Sequence, residues 1–455
     1  MAGTREYIET NRERFRDELF EFLRIPSVSA RREHRADTRE AAEWLKHKLD
    51  ELGMKTSLHE TPGHPILLAE YREAGPDAPT VLVYGHYDVQ PAEPLELWTT
   101  PPFEPAVRDG RIYARGSVDD KGQLYLHVKA VEAHLKTSGR LPVNLVLLFE
   151  GEEEVGSENL MPFVEQNAER LHCDAIVISD TTMIGPGLPT IGASLRGLAY
   201  FEINVQGPGQ DLHSGSYGGT VINPATALAR IIASFHDGDW RVAIDGFYDD
   251  VLQAEDFRAA MKKLPFEEKT FLAETGAPAL AGETGQTTLE RIWVRPTCEV
   301  NGLLSGYTGE GSKTVLPSKA MAKVSCRLVP DQDPKRIAEL FRAHVEKHAP
   351  DGVKVEVEYL HGGRPWRAKL EGRLVDAAAA ALESAYGREV VYAGEGGSIP
   401  IVPEFERVLD APALLLGFGL PGENAHAPDE WMSVENFEKG MIAAAELLDR
   451  LAAKA

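Results

Sequence analysis

The run Tyr84-Gly-His-Tyr-Asp-Val89 constrains this chain more than any other stretch, because it closes a buried strand with a histidine and an acid. The preceding Thr80-Val81-Leu82-Val83 is short, apolar and β-branched, which predicts a strand with both faces covered. Strand alternation then turns His86 and Asp88 to the same side. A metal-binding histidine needs a partner that fixes its tautomer, and an acid two residues on can supply one. Alone, a His-x-Asp pair also fits a histidine satisfied at a strand end. Four more clusters change that reading.

Arg115-Gly-Ser-Val-Asp-Asp-Lys-Gly122 carries two adjacent aspartates, which by themselves also suit a turn and a helix cap. Glu150-Gly-Glu-Glu-Glu-Val-Gly-Ser157 follows the apolar run Val143 to Phe149 directly. Glutamates crowded at the end of a buried strand repel one another unless cations neutralise them. Asp180 closes Asp174-Ala-Ile-Val-Ile-Ser-Asp180, and His426 follows the apolar stretch Pro412 to Gly417. Open α/β sheets place ligands outside the carboxyl ends of their strands, and all these groups fall there. Two histidines and several carboxylates suit a pair of divalent ions with no thiolate.

These residues resemble one family, the co-catalytic metallopeptidases that include aminoacylases, acetylornithine deacetylase, succinyl-diaminopimelate desuccinylase and the carnosinases. The likeness is greatest to the branch of cytosolic non-specific dipeptidases and carnosinases. It runs from Glu21-Phe-Leu-Arg-Ile-Pro-Ser-Val28 to His426. It includes Asp211-Leu-His-Ser-Gly-Ser-Tyr-Gly-Gly219, Arg295-Pro-Thr297, Lys313-Thr-Val-Leu-Pro317, Arg327-Leu-Val-Pro330 and Glu395-Gly-Gly-Ser-Ile-Pro400. The resemblance implies metal-dependent hydrolysis of dipeptides by a water that bridges two divalent metal ions per subunit. Zinc and manganese fit the nitrogen and oxygen ligands, and cobalt is accepted by the same set.

Carried over residue by residue, the resemblance makes Asp119 the carboxylate shared by both metals, with a cis Asp119–Asp120 peptide. His86 and Asp180 become ligands of one ion, and Glu154 and His426 of the other. The Glu-Glu-x-Gly-Ser spacing selects Glu153 as general base and Glu154 as ligand among four competing glutamates. Asp88 is expected to orient His86. His213 lies in a Gly/Ser-rich loop that by itself suggests an exposed histidine. The resemblance makes it the group that stabilises the tetrahedral oxyanion across a subunit interface.

Arg327 alternates with apolar Cys326 and Leu328, so it faces away from their core. A guanidinium there can hold a peptide's C-terminal carboxylate bidentately, or make a surface salt bridge. Thr314 and Ser398 are expected to add hydrogen bonds. Glu395 and Gly397 belong to a glycine-rich stretch that lacks the Gly-Lys-Ser/Thr of a phosphate loop and is expected to expose backbone groups to substrate.

At 455 residues the chain exceeds what one compact core normally supports, so two domains are expected. Element order predicts an α/β fold: a mixed-sheet, zinc-peptidase-like catalytic domain over residues 1–191 and 368–455. A ferredoxin-like α+β lid and dimerisation domain is inserted over residues 192–367. Thr38 is a candidate cap for a helix that ends at Gly53, and Asn223-Pro224 for a second helix. Residues 237–290 are polar and weakly periodic, as in an insertion of the lid.

Acids outnumber bases 71 to 48, a net charge of −23 that repels nucleic acid and anionic membranes. Neither is an expected partner; small peptides and a second copy of the chain are. The first residues lack an apolar core, so no signal peptide is expected. Cys173, Cys298 and Cys326 are far apart in sequence with no metal-binding spacing, which fits a reducing cytoplasm. Two other functions use the same residues differently. A deacylase of N-acyl amino acids needs the same metals with an acyl pocket; a non-catalytic binding protein needs the fold without the base.

Overall fold

The computed structural model describes residues 2–251 and 255–453. They form two compact units. The first comprises Met1–Ala193, Ala368–Ala393 and Glu404–Ala455, and the second Ser194–Arg367 and Gly394–Pro403.

The first unit is built on a mixed sheet. Across it run Lys55–His59, Ile66–Tyr71, Asn144–Glu150, Thr80–His86, Ala175–Ile178 and Ala413–Leu415. The last four are mutually parallel, with His86 level with Glu150, whereas Ile66–Tyr71 runs antiparallel to Asn144–Glu150. Strands Ile66–Tyr71 and Asn144–Glu150 are buried along their whole length, as continuous apolar runs on a covered sheet should be. Helices Ala2–Leu23, Lys121–Ser138 and Val434–Ala452 pack together. Phe22 stacks on Trp44 with ring centroids 4.9 Å apart. Buried Lys121 donates to the Phe22 and Ile25 carbonyl oxygens (3.1 and 2.6 Å), tying the end of the first helix to the start of Lys121–Ser138.

The second unit contains a four-stranded antiparallel sheet in the order Thr297–Ser305, Lys319–Leu328, Gly197–Gln206, Lys354–Gly363. Helices Pro224–Ala233 and Pro334–His348 complete a βαββαβ order, the ferredoxin-like arrangement expected of the insertion. Asn223 and Asp333 cap these helices through their side chains. Helix Pro334–His348 buries Ile337, Ala338, Phe341, His344 and Val345, the apolar stripe of a helix lying on a sheet. Phe341 stacks on Phe201 at 4.1 Å, and both are fully buried. Each such ring contributes about 1.5–3 kcal/mol. Helices Glu255–Met261 and Glu268–Thr275 lie within the polar, weakly periodic stretch 237–290, and Thr288–Trp293 begins at its end. Among the described residues no helix is long and apolar enough to cross a membrane.

Two local details differ from the sequence reading, Thr38 and Gly394–Pro403, and one pairing, of two cysteines, was not foreseen by it. Thr38 does not cap its helix, which spans Arg35–Glu51; its hydroxyl, in the first turn, donates to the His34 carbonyl at 2.9 Å. Cys298 and Cys326, far apart in sequence, face each other across neighbouring strands, both buried and free. Gly394–Pro403 belongs to the second unit, although residues 368–455 were expected to return as one piece to the first. The reason is local bonding. Arg196 donates to Gly396 and Gly397 carbonyls, and the Trp293 ring lies 2.6 Å from where a Cβ on Gly394 would stand.

Candidate metal centre and substrate groups

His86 ends its strand fully buried. Its Nε2 lies 3.1 Å from Asp119 Oδ1 and 3.9 Å from Asp180 Oδ2. On its other side Nδ1 lies 3.1 Å from the Asp88 carbonyl oxygen and 3.3 Å from Asp88 Oδ1. Asp88 Oδ2 also accepts the Glu154 backbone N–H at 3.1 Å, so one buried carboxylate links His86 to the glutamate turn. His426 Nε2 lies 2.8 Å from Asp119 Oδ2 and 3.3 Å from Glu154 Oε2. Asp119 therefore turns one oxygen to each histidine.

Two donor sets result, His86–Asp119–Asp180 and Asp119–Glu154–His426. Within each, one ligand atom per residue lies within 4.8 Å of the others. They share Asp119, as a carboxylate bridging two cations must be shared. The donors are nitrogen and oxygen only, and Glu154 Oε1 is buried without a hydrogen-bond partner. A pair of borderline divalent ions fits this set.

The backbone explains how the acids converge. The Asp119–Asp120 peptide is cis, as expected. Asp120 Oδ2 accepts the His86 N–H at 3.2 Å and lies 2.9 Å from where a Cβ on Gly85 would sit, so glycine is needed for that approach. Gly116 has φ +83°, which also favours glycine at the start of the Asp119 loop.

Of the four competing glutamates, two are occupied by the scaffold. Glu150 accepts from the Tyr84 hydroxyl (2.7 Å) and the Ser157 hydroxyl (2.8 Å). Burial pushes it up to about 8, helped by Asp88. Glu152 accepts from His64 N (3.2 Å) and Asn159 Nδ2 (2.8 Å). Glu153 and Glu154 lie in the short 3₁₀ turn Glu153–Val155 beyond the strand. Glu154 joins the Asp119 set, held by Gln90 Nε2 at 2.8 Å. Glu153 is pushed up to about 7 by burial, with Glu154, Asp119 and Asp88 raising it further against the pull of His86. Burial and the charge of Asp119 likewise raise Asp180 well above the usual range. Burial opposes charge on His86, but hydrogen bonds to Asp119 and Asp88 overcome it and raise the imidazole. The Asp119 and Glu154 contacts push His426 up to about 10. Negative charge exceeds what two imidazoles can balance, the environment that attracts cations.

In the second unit, Arg327 Nη1 donates to Ser398 Oγ at 2.8 Å, and that hydroxyl donates to the Arg196 carbonyl at 2.5 Å. Arg196 Nε donates to the Gly396 carbonyl at 3.0 Å, and its backbone N–H to that of Gly397 at 3.1 Å. Burial and the neighbouring Arg327 lower the Arg196 guanidinium to about 10; burial alone lowers Arg327. Burial pushes Glu395, at the end of Val391–Glu395, up to about 7. His213 and Thr314 lie at a separate two-stranded ribbon, both exposed, with His213 paired to Val315 and the Thr314 carbonyl accepting from Ser214 N–H at 3.1 Å. His213 Nδ1 accepts from Gly215 N (3.1 Å) and Ser216 N (3.3 Å). In the neutral ring the proton must therefore sit on Nε2, a donor left free to point outward.

Sequence reasoning passed over Arg196, Gln90 and Glu430. A lone arginine between two apolar strands, Leu195-Arg196-Gly197, was a usable signal. Gln90 and Glu430 carried none, because polar residues in loops read as solvated.

Residues 82–450 match Peptidase family M20/M25/M40, and the chain belongs to that family of metallopeptidases. It is 34% identical over 453 residues to the Cys-Gly metallodipeptidase dug1 of Schizosaccharomyces pombe, covering 96% of this chain and 95% of the relative. It is 30% identical over 433 residues to the Beta-Ala-His dipeptidase of Homo sapiens, covering 94% and 84%. Among solved structures, the M20 family metallo-carboxypeptidase Sso-CP2 from Sulfolobus solfataricus superposes with a TM-score of 0.84 at 35% identity, covering 95% of this chain and 98% of that one.

Proposed function

We propose that this chain is a two-metal dipeptidase of the reducing cytoplasm, acting on peptides with free amino and carboxyl termini. One observation carries the reading: two triads of nitrogen and oxygen donors share a single carboxylate, Asp119. The names of its relatives, Cys-Gly and Beta-Ala-His dipeptidases, support the substrate class. His86 and Asp180 would hold one ion, Glu154 and His426 the other, with zinc or manganese the fitting metals and cobalt acceptable. When bound, the ions supply a Lewis acid for the scissile carbonyl and lower the pKa of the attacking water.

The chain's own groups do the rest. Glu153, free of the scaffold bonds that occupy Glu150 and Glu152, takes the proton from the attacking water and passes it to the leaving amine. Asp88 holds His86 in one tautomer. Arg327, steadied by Ser398, binds the C-terminal carboxylate of the substrate. Thr314, Glu395 and the backbone at Gly397 complete its contacts. His213 Nε2–H donates to the developing oxyanion of a neighbouring subunit.

The first unit is the catalytic domain and the second the lid and dimerisation domain. A homodimer through the second unit is supported by its outer strand Thr297–Ser305, on which Leu303 and Leu304 are 63% and 58% exposed. Three buried free cysteines agree with a reducing compartment.

The test is hydrolysis of a dipeptide panel after chelation and readdition of Zn²⁺, Mn²⁺ or Co²⁺, with N-acetyl amino acids and longer peptides alongside. Activity on dipeptides that vanishes on chelation and returns with metal is expected. Faster cleavage of N-acetyl amino acids would make the chain a deacylase, and faster trimming of longer peptides a carboxypeptidase. Binding of dipeptides with no turnover in any metal would leave a binding protein.

A further inference from the structure

Glu430 is fully buried, four residues beyond His426, and nothing in the proposed chemistry uses it. Its carboxylate is nonetheless among the most heavily bonded in the molecule. Oε2 accepts from Arg115 Nη1 at 2.7 Å and from Gly116 N at 2.9 Å; Oε1 accepts from Val118 N at 2.9 Å and Asp119 N at 3.2 Å. Three of the four donors are backbone N–H groups of one loop, Gly116, Val118 and Asp119, the last belonging to the shared carboxylate residue itself. Arg115 is equally buried, and also donates to the Pro91 carbonyl at 3.3 Å.

The loop that carries Glu430 is itself braced. Glu423 accepts from Leu420 N at 2.6 Å and Ser433 N at 3.1 Å, while its carbonyl accepts from Trp431 N at 3.0 Å. His426 sits between these two glutamates, with φ +63°. The same short loop thus presents an imidazole to Asp119 Oδ2 and a carboxylate to the Asp119 backbone, 311 residues away in sequence.

We infer that Glu430 is a positioning residue for the metal centre, fixing the Asp119 carboxylate relative to His426 by accepting the N–H groups of Gly116, Val118 and Asp119. The inference rests on the two-metal reading of that site. A neutral amide cannot replace the carboxylate, because its NH₂ would face a backbone donor. Removing a group that orients a metal ligand typically costs about 10- to 100-fold in metal affinity.

The test compares three variants with the wild type by titrating the metal-free chain with Co²⁺, reading visible absorption and competition with a chelator, and by thermal unfolding without metal. Glu430→Gln should bind both ions about 10- to 100-fold more weakly. Arg115→Met breaks the same buried ion pair but leaves all three backbone bonds, so it should lower the unfolding temperature comparably while shifting Co²⁺ affinity less than threefold, roughly a tenth of the Glu430→Gln effect. Glu430→Asp keeps the charge but shortens the reach. It should fold if Glu430→Gln does not, and bind Co²⁺ with affinity between wild type and the amide variant. Equal loss of affinity in Arg115→Met and Glu430→Gln would reduce Glu430 to a structural role, and unchanged affinity in folded Glu430→Gln or Glu430→Asp would overturn the inference. A wild type that fails to take up two Co²⁺ ions would instead sink the two-metal reading beneath it.

Discussion

In the first unit the candidate chemistry is a set of groups turned on one another. His86 meets Asp119 and Asp180, His426 meets Asp119 and Glu154, and Asp88 holds both His86 and the Glu154 backbone. In the second unit the corresponding guanidinium groups bond neutral oxygens instead, Arg327 the Ser398 hydroxyl and Arg196 the Gly396 carbonyl. Burial first, and then the charge of Arg327, lower the Arg196 guanidinium, with Glu299 pulling the other way. His213 commits Nδ1 to two backbone N–H groups and leaves its other nitrogen open. A region that concentrates negative charge suits cations. A region whose guanidinium groups bond neutral oxygens, and whose imidazole keeps one nitrogen open, suits the anionic parts of a substrate, its carboxylate and its developing oxyanion. Substitutions should divide accordingly: those in the first region change metal content or the proton step, those in the second change substrate handling with metals retained.

The largest expected effect tests that division inside the first region. Glu153→Gln should retain two metals and lose about 10²–10⁴-fold in kcat, the usual range for losing a general base. Glu154→Gln, one residue on, should instead weaken one ion, visible as a lower metal stoichiometry after dialysis. Near-wild-type turnover in Glu153→Gln would assign the base to another glutamate.

Next in size is His213→Ala, expected to lose about 10²–10³-fold in kcat with its metal content unchanged. Mixing it with Glu153→Gln sharpens the comparison, since in a heterodimer one site would carry both defects and the other neither. Activity should return as subunits exchange. A mixture that stays inactive despite demonstrated exchange would mean that His213 does not serve a neighbouring subunit.

Arg327→Met should have the smallest effect, about 10- to 100-fold in kcat/KM, the loss expected for a hydrogen bond to a charged group worth about 1.5–3 kcal/mol. The loss should disappear for substrates whose C-terminal carboxylate is amidated, because wild type then loses the same contact. A persistent difference on amidated substrates would place Arg327 in packing and not in recognition.

Much of this molecule could be read from local sequence because the signals were themselves local. Apolar runs that end in His86, Glu150 and Asp180 form strands whose carboxyl ends gather on one edge, since parallel pairing in register leaves no other arrangement. Alternation around Cys326 and Leu328 put Arg327 on the opposite face, where it lies. Asn223-Pro224 capped a helix as its chemistry suggests. Thr38 misled because a hydroxyl in a first turn can bond back to the preceding carbonyl as easily as it caps.

What only the tertiary structure decided are the partnerships between segments remote in sequence. The pairing of Glu430 with the Gly116–Asp119 backbone, and the turning of Glu150 and Glu152 into scaffold bonds, leave no periodic trace. The same is true of Cys298 against Cys326, and of Gly394–Pro403 beside Arg196. Side-chain chemistry and its local spacing are written residue by residue, so candidate ligands could be named from them. A buried carboxylate, however, looks the same in sequence whichever donors it will meet; burial and chain crossing choose those donors, and so choose which glutamates the scaffold occupies.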